Sequence, residues 1–487
     1  MPTLLSRAGR GRRSAFPWRA DALLVAALVL SVAVACGAPP AVHAEAPAAQ
    51  PSAASDYGKL LDAVVEKTAK QFWDKDRLAA LGWQKRAAEV RQSVVDAPDL
   101  GEAARRINAL LGELKTSHTA LLTPDDVEYY ILLAVFGGAD MPQQERDERF
   151  WGAGVTYAGI GHFSVRIEGR DFVDAVLEGS PAERAGLKVG DEILTVDGAP
   201  HHPIRSFRGK VGHRASVAIR RTRDGAADTL SIPVMSIAPL HAFREATRAS
   251  ARVIERDGRR IGYVHVWASV GEESADALSG ALYTLGLPPP SLFGSSRGSS
   301  RRSGRQSSER PALLDGLIVD MRGRIGGTGS NAGRYLNILD ARGPFVRSLN
   351  KPAQSADNAP GLLVEPQSWR GRTTVLIDHH TRSTAELFVH AYKRERQGPV
   401  LGTRTAGAVS AASAYAMPGG NLLYLAVTGL EVDGEILEGP GVAPDIEVAR
   451  PIPYSSGADP VLEAAVGHLA RKPASRQPEK AVPSGGN

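Results

Sequence analysis

Residues 371–397, GRTTVLIDHHTRSTAELFVHAYKRERQ, decide the fold of the chain. Within this stretch Thr373–Asp378 is a short apolar, β-branched run, which predicts a buried strand. A polar turn follows over Asp378–Arg382, and apolar residues then recur at a helical spacing (Leu387, Phe388, Ala391 and Tyr392). Strand, tight turn and helix put Ser383 at a helix N-terminus, where free backbone N–H groups surround an exposed hydroxyl.

A purely structural interpretation of Ser383 is also available. Ser383-Thr384-Ala385-Glu386 fits the S/T-x-x-E capping box, in which the serine only satisfies N–H groups of the first helical turn. The rest of the chain has to decide between a cap and a nucleophile.

A second strand–turn–helix unit precedes this one. Leu313–Asp320 is a continuous apolar strand, residues 321–327 form a Gly-rich turn, and Asn331–Leu339 has a helical pattern. Two such units predict an α/β core. Further strands are expected at 261–267, Phe345–Leu349, Leu401–Val409 and Leu422–Thr428, and a last helix at Pro460–Leu469.

The segments before the core differ in character. Residues 56–116 are helical in pattern, with an apolar face that begins at Leu60, Leu61, Val64 and Val65, whereas residues 152–237 read as short strands. The predicted fold class is therefore multidomain α+β: an N-terminal helical bundle, a β-domain and an α/β core.

The basic character of the chain is local. Its formal net charge is +5, but residues 1–35 and 289–310 each carry +4, which leaves −3 for the rest. This distribution argues against a nucleic-acid surface. Residues 289–310 are rich in Ser, Gly and Arg and are expected to be a disordered surface insertion.

The N-terminus predicts export. A basic region with five arginines precedes the apolar run 22–35, which is short for a membrane span but suits a signal peptide. Cys36, the single cysteine, follows at once and resembles the lipidated residue of a bacterial lipoprotein. Cleavage after Ala44 is the alternative. We expect a periplasmic or cell-envelope protein whose membrane contact is at most a lipid anchor on Cys36.

The segments combine into one domain organisation. We predict an export segment (1–36), a Pro/Ala-rich tether (37–55) and a helical domain (56–135). These are followed by a β-domain (152–237), an α/β core that contains the insertion (240–455), and a C-terminal helix with a loose tail (456–487).

The β-domain resembles a PDZ domain. The string GLKVGDEILTVDG at 186–198, after a short helix at Ala182–Ala185, carries the likeness. Upstream, Gly159-Ile160-Gly161-His162-Phe163 is similar to the loop that takes a peptide's terminal carboxylate on backbone N–H groups. The resemblance implies binding of peptides or proteins with free C-termini.

Residues from about Tyr57 to about Leu469 resemble the tail-specific, carboxy-terminal processing serine peptidases, known as family S41. The likeness rests on domain order and on four motifs in order: LKTSHT (114–119), DMRGRIGG (320–327), STAE (383–386) and EGPGVAPD (438–445). The first motif is similar to the branch that includes the tricorn core protease. The implied fold of the core is that of crotonase and ClpP.

The resemblance implies a serine endopeptidase that needs no cofactor or metal. Ser383 would be the nucleophile and His118 the base, oriented by Ser117 and Glu438. The oxyanion would be held by backbone N–H groups of Gly326 or Gly327 and of Thr384. With an ordinary histidine pKa, the rate would rise through pH 6–7.

Three positions depart from the family pattern. Another branch uses a serine–lysine dyad, but Ala408 stands where its lysine would fall, and Lys393 is roughly 15 Å along the helix from Ser383. Arg324 replaces the usual Asn, and His380 replaces a small residue before the nucleophile. His379-His380 lacks a third ligand at metal spacing, and adjacent histidines are expected to face apart, so a zinc site is not predicted.

Two other functions compete with proteolysis. A catalytically inactive relative would bind peptide C-termini through the PDZ domain alone. A dinucleotide site is suggested by the G-x-G-x-x-A pattern at 327–332, but the next strand ends at Asn350 without the acidic residue that holds a ribose.

Overall fold

The computed structural model describes residues 55–136, 154–287, 314–323, 325–327, 329–350 and 369–471. Cys36 and the export segment, the tether, the insertion 289–310, Arg324 and the C-terminal tail lie outside these residues, so the expectations about them stay predictions. The described residues all belong to one compact unit, Ser52–Asn487.

The first segment is helical, as its apolar spacing predicts. Its elements are α1 (Ser55–Gln71), α2 (Lys75–Leu81), α3 (Trp83–Val95), α4 (Leu100–Gly112), β1 (Ala120–Leu122) and α5 (Val127–Phe136). Side chains of Asp74 and Asp99 cap α2 and α4 by accepting backbone N–H groups of their first turns. The predicted face of α1 is buried, since Leu60, Leu61, Val64 and Val65 are each at most 8% exposed.

The β-domain has the predicted short strands. They are β2 (Tyr157–Gly159), β3 (His162–Ile167), β4 (Arg170–Val176), helix α6 (Pro181–Arg184), β5 (Glu192–Val196), β6 (Arg214–Arg220), β7 (Asp228–Pro233) and β8 (Met235–Ile237). Strands β3 to β7 form an antiparallel sheet in sequential order, and β2 pairs with β8. Strand β5 lies within the string at 186–198 that carries the PDZ likeness, and the short helix begins one residue earlier than expected, after the cap Ser180.

The core follows from α7 onward. Its elements are α7 (Pro239–Ser250), β9 (Arg252–Arg256), β10 (Arg259–His265), β11 (Ala268–Ser269), α8 (Gly271–Thr284), β12 (Gly316–Asp320), β13 (Ile325–Gly327), α9 (Gly329–Ile338), β14 (Val346–Ser348), β15 (Arg372–Ile377), α10 (Thr384–Arg394), β16 (Val400–Gly402), β17 (Ala411–Met417), β18 (Asn421–Thr428), β19 (Leu430–Val432), β20 (Ile446–Glu447) and α11 (Pro460–Ala470).

A six-stranded sheet organises this core, in the order β20-β16-β15-β12-β10-β9. All its pairs are parallel except β10 with β9. Helices α8, α9 and α10 cover one face through a large apolar cluster, and α11 covers the other. The predicted α/β core, within a multidomain α+β chain, is therefore correct.

The sheet brings the two Gly- and Ser-bearing turns together. Strands β12 and β15 are neighbours, with Asp320 opposite Leu376. Because parallel strands end at one edge of a sheet, the turn after Asp320 and the turn after Ile377 start side by side. This edge carries the candidate site.

A three-stranded sheet joins the helical segment to the core. Strand β1 pairs with β18, which pairs with β17. The helical cluster includes Met417, Leu423, Leu425 and Ala426 of these strands. The helices thus place the segment before β1, with His118, against the core.

One strand prediction is wrong in its second half. Strand β16 ends at Gly402, not at Val409. The following N–H groups leave the sheet: that of Thr405 donates to the Val442 carbonyl, and those of Gly407 and Ala408 donate to the side chain of Glu386. The apolar pattern could not reveal this because the partner carboxylate is about twenty residues away in sequence.

Within the described part of the chain, no helix combines the length and the apolar character that crossing a membrane requires.

Candidate active site

Ser383 occupies the tight turn that its sequence predicts, and its backbone there is strained. It is the N-cap of α10, with φ 55° and ψ −125°. A non-glycine residue in this region costs about 1–3 kcal/mol and persists only where its surroundings enforce it. Here the Ser383 N–H donates to the Ala408 carbonyl at 2.8 Å and the Thr381 hydroxyl ties the turn to the Met321 carbonyl at 2.9 Å.

The capping box that the sequence predicts at Ser383 is present. Glu386 accepts the Ser383 N–H at 3.1 Å. In the other direction the Ser383 side chain faces the Glu386 N–H, while that N–H also donates to the Ser383 carbonyl oxygen at 2.8 Å. Ser383 is only half-buried, so this capping geometry leaves its hydroxyl accessible for a second role.

Two of the predicted oxyanion groups, those of Gly326 and Thr384, lie next to Ser383. A Cβ added to Gly326 would lie 2.4 Å from Ser383 Cβ and 3.0 Å from the Thr384 nitrogen, so only glycine fits against the turn. Among the described residues nothing accepts the Thr384 N–H, which belongs to the open first turn of α10. Gly327 follows on β13, packed so closely that an added Cβ would overlap the Ser269 carbonyl.

His118 lies in the connection between α4 and β1 and is hydrogen-bonded through Ser117. His118 has a positive φ of 54°, its Nδ1 is 2.7 Å from Ser117 Oγ, and Ser117 Oγ donates to Glu438 Oε2 at 3.0 Å. Because the hydroxyl gives its single hydrogen to a carboxylate, which only accepts, Oγ must accept from Nδ1–H. This direction leaves Nε2 unprotonated, which is the tautomer of a general base.

Glu438 is held by four donors. The Ser117 N–H reaches Oε1 at 2.7 Å, and the Ser117 hydroxyl and the N–H groups of Val409 and Ser410 reach Oε2 at 2.9–3.0 Å. Burial alone would raise the pKa of this carboxyl, but the hydrogen bonds outweigh burial and lower it. Glu438 is therefore a fixed anion beside the histidine.

Burial dominates the titration of His118. Desolvation lowers the pKa of its imidazole to about 4, against the opposing attraction of Glu438. The positive charge of Arg382, next to Ser383 in sequence, also lowers the pKa of His118, while Glu128, which is 3.0 Å from Arg382, raises it. The ring is neutral at neutral pH, as a base must be, but its pKa is not the ordinary value that the sequence leads one to expect.

The loop 405–410 connects the two halves of the site, which are the turn at Ser383 and the group of His118, Ser117 and Glu438. Its Ala408 carbonyl accepts from Ser383, and its Val409 and Ser410 N–H groups hold Glu438. No hydrogen bond joins the Ser383 hydroxyl directly to His118 in the described contacts. Catalytic hydrogen bonds are often long before substrate binds, so this does not exclude the pair.

A lysine does not replace the histidine. The dyad position is Ala408, which is almost fully buried against Glu386. The ammonium of Lys393 binds the Ala443 carbonyl at 2.6 Å and Asp445 at 2.9 Å.

The expectation that the adjacent histidine rings face apart is wrong. The rings of His379 and His380 do not face apart, since their centroids are 3.9 Å from each other. His380 Nε2 lies 2.9 Å from Asp174 on β4, which turns the ring toward the β-domain. Among the described residues, no three His, Cys, Asp or Glu side chains are grouped to hold a metal ion.

The predicted carboxylate loop lies at the start of β3. Ile160 and Gly161 use their carbonyls to bind Ala182 and Leu177, while none of the described hydrogen bonds has their N–H groups as donors. His162 and Phe163 are buried, and Phe163 stacks on Phe243 and Trp267 of the core.

Two features of the structure have no counterpart among the predictions from sequence. The first is the role of Glu386, whose partners in the loop 405–408 are brought to it only by the fold. The second is the link between the β-domain and the core, in which Glu178 accepts from His265 Nδ1 at 3.0 Å and from Trp267 Nε1 at 2.5 Å. Neither has a local sequence signal beyond the S-x-x-E pattern.

Two family models match the chain: "Peptidase family S41" over residues 294–448 and "PDZ domain" over residues 172–220. The first match contains Ser383 and Glu438. Ser117 and His118 lie outside it, well before its first residue.

The curated relatives of this chain include tricorn-type and carboxy-terminal processing proteases. Tricorn protease homolog 2 of Streptomyces coelicolor is 26% identical over 85% of this chain and 32% of its own length. The carboxy-terminal processing proteases CtpB and CtpA of Bacillus subtilis are 23% and 24% identical over 62% of this chain and 57% and 59% of their own lengths. The chain thus spans between one third and three fifths of these relatives.

Solved structures with similarity to this chain include two proteases. The photosystem II D1 C-terminal processing protease is 18% identical, with a TM-score of 0.46 over 85% of this chain and 97% of that chain. The tricorn protease is 16% identical, with a TM-score of 0.43 over 86% of this chain and 37% of that chain. Residues 294–448 of this chain are thus similar to peptidase family S41, and residues 172–220 are similar to a PDZ domain.

Proposed function

We propose that this protein is a serine endopeptidase of the tail-specific kind, in which Ser383, His118, Ser117 and Glu438 act together. The observation that carries the proposal is the chain of contacts from His118 Nδ1 through Ser117 Oγ to Glu438. Because the carboxylate takes the hydroxyl hydrogen, we infer that Nδ1 carries the ring proton and that Nε2 is free to accept one. The strained turn of Ser383, packed against Gly326, supports the role of nucleophile.

In the proposed mechanism Ser383 Oγ attacks a peptide carbonyl while His118 Nε2 takes its proton. The imidazolium that forms is stabilised by Glu438 through the Ser117 hydroxyl. N–H groups of Gly326 or Gly327 and of Thr384 bind the developing oxyanion. His118 then protonates the leaving amine, and a water molecule activated by the same ring releases the acyl group from Ser383.

Substrate choice is assigned to the PDZ domain. The N–H groups at Gly159–Gly161 would take the terminal carboxylate of a protein or peptide, which adds a strand beside β3. Binding of one peptide as its free acid and as its amide, measured on Ser383→Ala protein to prevent cleavage, tests this. Tighter binding of the acid is expected, and equal affinity contradicts the assignment.

The proposed location is the periplasm or cell envelope, with Cys36 as a lipid anchor. The arginines and the apolar run before Cys36 support it. Cells grown with labelled palmitate should label the wild-type protein and not Cys36→Ser. Equal labelling of both would exclude this anchor and leave cleavage after Ala44.

Active-site labelling tests the enzymatic proposal most simply. A fluorophosphonate probe should react with the wild-type protein at Ser383 and not with Ser383→Ala, while Ser413→Ala, on strand β17, serves as the matched control. Peptide hydrolysis should follow the same order. Absence of both reactions in wild-type protein would favour the inactive, peptide-binding alternative.

A further inference from the structure

Glu386 is a carboxylate that the proposed mechanism does not use, yet it lies at the centre of the site. It is fully buried, on the first turn of α10, three residues after the nucleophile. Buried carboxylates are rare unless their oxygens are paired or hydrogen-bonded.

Four donors converge on this carboxylate. Oε1 accepts the Thr405 hydroxyl at 2.6 Å and the Gly407 N–H at 2.8 Å. Oε2 accepts the Ala408 N–H at 2.8 Å and the Ser383 N–H at 3.1 Å. Burial raises the pKa of Glu386, and the four donors oppose that rise.

These contacts reach both halves of the site. The same Ala408 that donates to Glu386 accepts the Ser383 N–H through its carbonyl. The next two residues, Val409 and Ser410, donate to the carboxylate of Glu438. The position of the loop 405–410 therefore fixes the strained backbone of the nucleophile and the anion that orients the base.

We propose that Glu386 is a positioning residue: its buried carboxylate holds the loop 405–410 so that Ser383 and Glu438 are aligned at the same time. This inference rests on the proposed function. It assigns to Glu386 a role distinct from helix capping, because a cap needs only the contact with Ser383.

Glu386→Gln separates these roles. If the amide NH2 of the glutamine takes the Oε1 position, it faces the Gly407 N–H. If it takes the Oε2 position, it faces the N–H groups of Ala408 and Ser383. In either orientation at least one backbone donor loses its acceptor. We expect kcat to fall about 10²-fold, as for a small misplacement of reacting groups, with little change in KM. Glu395→Gln, at the other end of the same helix, is the matched control.

The coupling to Glu438 is the specific readout. Both side chains act through the loop 405–410, so the loss in kcat for Glu386→Gln with Glu438→Gln should be clearly smaller than the product of the two single losses. A merely structural role would lower the thermal midpoint and leave the two effects multiplicative. Multiplicative effects in folded variants would overturn the inference.

A milder pair keeps the test valid if Glu386→Gln fails to fold. Thr405→Val removes the shortest hydrogen bond to Glu386, and Thr405→Ser keeps the hydroxyl. We expect the valine variant to lose at least about 10-fold in the rate of fluorophosphonate labelling and the serine variant to recover most of it. Equal rates in the two variants would overturn the inference.

The outcomes also separate this inference from the proposed function. If wild-type protein is not labelled at Ser383, the proposed function fails. If wild-type protein is labelled and folded Glu386→Gln is labelled at the same rate, the peptidase assignment stands and the role of Glu386 is wrong.

Discussion

Replacing Glu438 by glutamine probes the charge behind the proposed base while keeping the shape of the side chain. With its NH2 at the Oε2 position, glutamine would oppose the donors Ser117 Oγ, Val409 and Ser410. With its NH2 at the Oε1 position it opposes only the Ser117 N–H. The second orientation is expected, so the Ser117 hydroxyl keeps an acceptor and the main change is the lost charge.

The size of the effect follows from two distances. Hydrogen bonds of 2.7 and 3.0 Å place the carboxylate oxygen at most about 5.7 Å from His118 Nδ1. A unit charge at that distance stabilises the imidazolium by roughly 3 kcal/mol at an effective dielectric constant of about 20. Lost in the transition state, this corresponds to about a 10²-fold decrease in kcat.

The assay is kcat on a fluorogenic peptide at neutral pH, with Glu435→Gln, an exposed residue of the same segment, as the control. The kcat of the control should equal that of the wild-type protein, and the kcat of Glu438→Gln should lie between those of the control and of His118→Ala. Less than a twofold loss would show that Glu438 does not support the base. A loss as large as that of Ser383→Ala would show that its role is more than electrostatic.

Three further results are expected. Gly326→Ala should slow fluorophosphonate labelling of Ser383 by at least about 10²-fold, because the added Cβ would lie 2.7 Å from the Ser383 hydroxyl oxygen. The control Gly280→Ala, whose added Cβ has open space around it, should be labelled at the wild-type rate. Equal labelling rates for the two variants would refute this packing argument. Lys393→Met should keep kcat and cost at most about 1 kcal/mol of stability; a tenfold loss of kcat would point to a lysine mechanism. Because the pKa of His118 is lowered to about 4 and the base must be neutral, kcat/KM should stay constant well below pH 6 and fall only as pH approaches 4; a midpoint near 6–7 would mean that the ring is not desolvated.

The sequence predicts the elements that carry the site because their patterns are local. The strands ending at Asp320 and Ile377 are continuous apolar runs, and the helix after Ser383 follows its apolar spacing. The turns between them contain glycine or short polar residues, which interrupt regular structure.

Contacts over long distances in sequence are not readable from such patterns. Ser117 and Glu438 are 321 residues apart, and only resemblance to a family pairs them before the structure does. After β16 ends at Gly402, the chain is held by acceptors that are distant in sequence, among them the Val442 carbonyl and the Glu386 carboxylate. The low pKa of His118 depends on burial, which the sequence LKTSHT does not reveal.

The central claim is that Ser383 and His118 work as one catalytic unit, and a double-mutant comparison of kcat tests it most directly. Members of such a unit lose activity together, so Ser383→Ala combined with His118→Ala should be little worse than Ser383→Ala alone. Near-normal kcat for His118→Ala, on a peptide that Ser383→Ala cannot cleave, would contradict the claim. The base would then have to be sought elsewhere, beginning with His380.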